Sequence, residues 1–175
     1  MELVHEAHHG RPLTPLSPPS PSSPQVRFTG GLWLLYLALF MAAVFPAVER
    51  LAELNGRLLP HMATQALDHH LSSDDHVATM LYCAVVSLCA PIWEEVIFRG
   101  FLLQSLSKYL RPPAAIFASA VVFAAAHFSA HRLLPLTGLG IALGVLFNVS
   151  GRNLLACMCL HSLWNCYVLF VLIAP

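Results

Sequence analysis

Residues 77–100 read VATMLYCAVVSLCAPIWEEVIFRG. From Val77 to Trp93 there is no charge; then Glu94, Glu95 and Arg99 arrive together. A bilayer core about 30 Å thick takes about 20 apolar residues as a helix, whereas a helix on a soluble domain shows a polar face. The run predicts a membrane span with three charges at or inside its end.

Four more stretches outside it read alike. Phe28–Val48 and Leu133–Gly151 hold no charge, Pro112–Ala130 holds only His127, and Asn153–Pro175 only His161. The expected fold is all-α, a polytopic membrane helical bundle with about five transmembrane helices. Composition agrees: of 175 residues, 57% are hydrophobic and 10% charged, with 9 basic against 9 acidic and a mean hydropathy of +0.68. Soluble domains carry about 25% charge. A soluble monomer could not cover its surface with so few charges, and a nucleic-acid partner would call for a basic excess. A β-barrel would need short alternating segments, and none is visible. The bilayer itself is the implied partner.

The rest of the chain divides accordingly. Residues 1–27, with PLSPPSPSSP, predict a disordered Pro/Ser-rich tail, with no apolar core of a signal peptide and too little Arg for a transit peptide. Residues 28–48 form the first span. Residues 49–76, with all three Asp of the chain outside 77–175, predict an exposed loop or a short surface helix such as Glu49 to Leu59. Residues 77–174 make the core. With the N-terminus inside, Arg11, Arg27, Lys108, Arg111 and Arg152 face in and Arg50, Arg57 and Arg132 face out, a slight positive-inside bias. Cys83, Cys89, Cys157, Cys159 and Cys166 all fall in apolar spans and read as small buried residues; Cys157 and Cys159 point to different helix faces and make a poor metal clip.

An ionisable group in lipid costs at least about 2.5–3.5 kcal/mol at mid-span, so such groups mark candidate sites. Glu95 and Arg99 are spaced i,i+4 and can pair on one helix face, which leaves Glu94 without a local partner. A carboxylate in an apolar site beside a like charge suits a general base. His127 ends F-A-A-A-H, with His131 and Arg132 at the loop beyond. His161 and Asn165, again i,i+4, present a ring nitrogen and an amide on one face, suited to holding an oxyanion or to gluing helices together.

Heights can be estimated from the turn at Arg111-Pro112-Pro113. Glu94 and His127 both lie roughly 24–26 Å from it at 1.5 Å per residue, level on adjacent antiparallel helices. His161 lies only roughly 14 Å past Arg152, a mismatch of about 10 Å unless the turns differ in height or Pro91 bends the first arm. Residues 77–110 as one helix would run about 51 Å, so a tilt or kink is needed.

A carboxylate near a histidine, with a His–Asn pair on a third helix, is a water-activating site with an acceptor for developing negative charge, which suits peptide hydrolysis. Other chemistries lack their residues. No apolar span carries an H-E-x-x-H zinc motif; His127 and His131 form H-x3-H without its central Glu. Ser162 adjoins His161, but helical neighbours face apart. Every Asp lies at 68–75, and no Gly-rich phosphate loop exists. No cofactor or metal is implied.

E-E-x-x-x-R (Glu94, Glu95, Arg99), F-x-x-x-H (Phe123, His127) and H-x-x-x-N (His161, Asn165) occur in that order on successive apolar segments. Together they resemble the CPBP family of CAAX proteases and bacteriocin-processing enzymes, also called the Abi domain, over about residues 77–174. APIWEEVIFRGFLLQSL and RNLLACMCLHSLWN are most similar to its cyanobacterial and plastid branch. The resemblance implies an intramembrane endopeptidase, glutamate-dependent and metal-independent. Glu94 would activate water with help from His127, His161 and Asn165 would hold the oxyanion, and Glu95 and Arg99 would order the site. It implies a peptide or membrane-protein substrate and a multi-pass place in a chloroplast membrane, or alternatively a bacterial inner membrane. Family members often have more helices before the core, so a shortened N-terminus is expected. A non-proteolytic scaffold, for example one steadying chlorophyll-synthesis enzymes, and a proton or ion path are the alternative functions.

Overall fold

The computed structural model describes residues 32–59 and 76–173; the expected tail lies outside them. Among the described residues five helices follow one another. Helix α1 is Leu32–Leu58. Helix α2 runs through 76–106 as one rod, and α3 is Pro112–Ala126. Helix α4 is Leu133–Val149, entered through a 3₁₀ turn at Ala130–Arg132, and α5 is Leu154–Ile173. No strand occurs among the described residues. The all-helical expectation holds, with one refinement: four helices are long and apolar enough to cross a membrane, and α3 is shorter. Large apolar side chains face outward on every helix, among them Leu39, Met80, Trp93, Phe117, Val149 and Phe170. Water would make that surface an aggregation hazard; lipid solvates it. This is a multi-pass membrane protein.

Three boundaries differ from the sequence reading. Helix α1 continues ten residues past Val48 to Leu58, so the first part of the expected loop is the surface helix, fused to the span. Nothing breaks the turn there: Glu49, Arg50, Leu51, Ala52 and Glu53 are competent helix formers. Residues 60–75 lie outside the described set. Helix α3 ends at Ala126, not Ala130. Phe128 takes a left-handed φ of 48°, which stops a helix, and its ring is 97% exposed. Helix α4 ends at Val149 in a Schellman turn: the Arg152 N–H reaches the Phe147 carbonyl at 2.8 Å and the Gly151 N–H that of Asn148 at 3.3 Å. Gly151 there sits at φ 70°, a conformation glycine adopts without a Cβ penalty. Asn153 then caps α5, its Oδ1 accepting the Leu155 N–H at 3.1 Å.

Helix α4 is the hub, packed against α3, α1 and α5. Its Gly140 and Gly144 let α3 approach closely. A Cβ on Gly140 would stand 2.9 Å from the Ala120 Cβ, and one on Gly144 would stand 3.0 Å from Ile116 Cγ2. Small residues four apart are a usual device for drawing membrane helices together. The core around this seam includes Leu139, Leu143, Leu146, Phe147, Ala156 and Leu160.

Helix α1 is locked in by Asn55, which is 1% exposed. Its Nδ2 donates to the carbonyls of Ala130 and His131, and its Oδ1 accepts the Leu134 N–H at 3.2 Å. One side chain thereby satisfies groups left open at the start of α4.

The long α2 changes its winding twice. Val85–Cys89 and Val96–Leu102 are π-helical, with α-turns before, between and after. The N–H of Ala90 bonds the Val85 carbonyl and that of Leu103 the Phe98 carbonyl, each five residues back. A wider coil climbs less per residue. This shortens the arm that ideal α geometry made too long and removes part of the expected height mismatch with His161. Such single-turn bulges collect at functional sites.

Candidate active site

Glu94 and Glu95 leave α2 between its two π segments. Glu95 is fully buried. Its Oε1 takes a hydrogen bond from Arg99 Nη1 at 2.8 Å and one from His161 Nδ1 at 2.9 Å. Arg99 is 1% exposed. Its Nη2 donates to the Gly140 carbonyl at 3.1 Å, and its guanidinium lies 4.7 Å over the Phe123 ring. A buried cation and anion are tolerated here because they neutralise each other and the guanidinium finds further polar and aromatic partners, although Glu95 Oε2 takes no hydrogen bond among the described residues.

Phe123 is 0% exposed and is the hinge of this packing. Phe98, His127 and His161 all meet its ring edge-on, at centroid distances of 5.1, 4.8 and 5.7 Å. The sequence quoted Phe123 only as a motif letter; its role is to space the two histidines.

His127 is held by its own helix. Its Nδ1 lies 2.8 Å from the Phe123 carbonyl. A carbonyl only accepts, so Nδ1 carries the proton and Nε2 is left facing the other way. Glu94 Oε2 lies 3.8 Å from that Nε2 and 3.7 Å from His161 Nε2. It is buried and makes no hydrogen bond among the described residues, while the Glu94 side chain as a whole is 27% exposed. Glu94, His127, His161 and Asn165 line one cavity of about 390 Å³ between α1, α2, α4 and α5. Its remaining walls are largely apolar, with Tyr82, Val86, Leu136 and Trp164 among them.

The six residues singled out in sequence therefore meet, and Glu94 and His127 do stand level. His161 joins them in spite of the height estimate. Asn165 lines the cavity, but its Nδ2 already donates to the Val86 carbonyl at 2.9 Å. Of the two loop residues beyond His127, Arg132 is exposed, whereas His131, expected to be exposed, is not. Arg132 borders the cavity, its Nε donating to Ser129 Oγ at 3.3 Å, and His131 is half-buried. The cysteines also differ from expectation. Cys157 is buried, its Sγ 3.5 Å from the Leu143 carbonyl, but Cys89 and Cys166 are exposed on the lipid side and all five are free. Among the described residues no three His, Cys, Asp or Glu side chains come together as a metal cage. Sequence reading missed Asn55 and Gly140; only G-x-x-x-G at 140–144 carried a local signal.

A buried ion pair, two oriented histidines and an unbonded carboxylate thus meet on one cavity inside a helical membrane bundle. The chain belongs to the family described as type II CAAX prenyl endopeptidase Rce1-like, whose model matches residues 76–167. That family is one of CAAX-type membrane proteases, and its span coincides with α2–α5 and all three motifs. Comparisons with curated proteins and with solved structures returned no match.

Proposed function

We propose that the chain is a glutamate-dependent intramembrane endopeptidase that needs no metal. One observation carries this: Glu94 Oε2, buried and free of hydrogen bonds, faces His127 Nε2 across 3.8 Å. A water donating to both at about 2.8 Å would open about 85° between them, within reach of its own bond angle. Two acceptors on one water make its oxygen nucleophilic.

The steps follow. The water oxygen attacks the scissile carbonyl carbon, and its proton passes to Glu94. The carbonyl oxygen becomes an oxyanion, stabilised by His161 Nε2–H in its imidazolium form and by the Asn165 amide. Glu95 keeps the His161 Nδ1 proton in place and balances the ring's charge, with Arg99 holding Glu95. Glu94 then returns its proton to the departing amine nitrogen as the C–N bond breaks. The substrate is a peptide or membrane protein entering the largely apolar cavity. The wording of the motifs supports the cyanobacterial and plastid branch, and with it a thylakoid or envelope membrane.

The test is cleavage of a quenched-fluorescent reporter peptide by purified protein in detergent. Glu94→Ala and Glu94→Gln should abolish turnover, and EDTA should leave the wild type unaffected. Full turnover by Glu94→Ala, or loss of activity on chelation that zinc restores, would overturn the proposal.

A further inference from the structure

In a regular α-helix the Val86 carbonyl would accept the N–H of Ala90. That N–H is given to the Val85 carbonyl instead, because the chain is π-wound at this point. The next N–H in π register is that of residue 91, and residue 91 is proline, which has none. Val86 thus has a carbonyl that its own helix cannot satisfy, facing a largely apolar cavity. An unpaired carbonyl in such a place is costly. Asn165 Nδ2 takes it at 2.9 Å, across from α5.

We propose that Pro91 is a positioning residue for Asn165: by stripping the Val86 carbonyl of its helical donor, it fixes which way the Asn165 amide is turned. A carbonyl can only accept, so the end of the amide toward Val86 must be the NH₂. One of its two protons is committed there, and the other is the one left to donate. Without an unsatisfied carbonyl, the carboxamide could turn over and offer its oxygen, which would repel a developing oxyanion. The π segment and the proline act as one device, set one turn before Glu94. The catalytic consequence rests on the function proposed above; the hydrogen-bond coupling does not.

A double-mutant cycle of Pro91→Ala, Asn165→Ala and both together tests this, read by thermal unfolding and by reporter cleavage. Pro91→Ala supplies an N–H for Val86, so it should leave Tm unchanged or raised while kcat falls by roughly tenfold or more with KM little altered. Asn165→Ala should lower Tm, since it orphans the carbonyl, and Pro91→Ala should restore part of that loss. In the Asn165→Ala background Pro91→Ala should cost no further kcat. Additive effects on Tm overturn the coupling, and so does Pro91→Ala with wild-type kcat in an active preparation. If the wild type cleaves no reporter, the Tm cycle alone decides the coupling, and only the protease reading fails.

Discussion

Glu94 and Glu95 are adjacent in the chain and opposite in circumstance. Glu95 Oε1 receives Arg99 and His161 and is sealed from solvent, whereas Glu94 Oε2 receives no hydrogen bond and borders the cavity. Their substitutions should therefore separate. Glu95→Ala strips a buried cation of its counter-charge and should cost about 3–5 kcal/mol of stability, seen as a large fall in Tm in detergent. Glu94→Gln keeps the shape, breaks no hydrogen bond, and should change Tm little while abolishing cleavage. Equal losses of Tm would refute the division of labour.

His127 is oriented through Nδ1 and offers Nε2 to the cavity. Asparagine there keeps a donor for the Phe123 carbonyl and lacks the ring's second nitrogen. His127→Asn should fold normally and lose about 10²–10⁴-fold in kcat. Circular dichroism and reporter turnover check the two halves, and a variant with near-wild-type kcat would remove His127 from the chemistry.

None of the five cysteines touches Glu94 or either histidine in a polar contact, and all are free. Cys89→Ser and Cys166→Ala on the lipid face should leave turnover within about twofold, since substitutions away from special features change little. Loss of activity on alkylating either one would contradict this.

Gly140 has no room for a side chain, while nothing lies within 4 Å of a Cβ on Gly56. Gly140→Val should push α3 from α4, disturb the carbonyl that Arg99 holds, and cost about 1–3 kcal/mol. Gly56→Ala, in α1, should gain about 0.5–1 kcal/mol from helix propensity. The pair read by thermal unfolding distinguishes crowding from a general intolerance of glycine loss.

Asn55 joins α1 to the start of α4 through three polar contacts. Asn55→Ala should cost about 1–3 kcal/mol, because it takes a partner from part-buried backbone groups at Ala130, His131 and Leu134, and Asn55→Asp should not rescue it, since a carboxylate cannot donate to the Ala130 and His131 carbonyls. Faster hydrogen exchange at 130–134 in the alanine variant is the accompanying sign.

Much of this protein is written locally. The scarcity of charge places it in a membrane, because each charge in lipid is expensive and few are kept without cause. The same scarcity makes Glu94, Glu95, Arg99, His127, His161 and Asn165 conspicuous, and the i,i+4 spacing pairs Glu95 with Arg99 before any fold is known. The three motifs in order mark the family. Boundaries were less legible where the signal was weak: α1 runs on to Leu58 because charged residues also make good helix, and α3 stops early because of one left-handed residue, Phe128.

Only the tertiary structure decided how distant segments meet. Helical rise put His161 too shallow, and π winding in α2 together with the packing of α5 brought it to both glutamates. Asn55 looked like one more polar residue of a loop, yet it closes the bundle. Asn165 pointed at a function by its spacing, while its actual partner is a carbonyl that Pro91 leaves without a helical donor. Sequence determines which groups are too costly to leave unpaired in lipid. Which partner satisfies each of them depends on where the helices cross, and that is set by close packing such as the Gly140 seam, which no local pattern specifies.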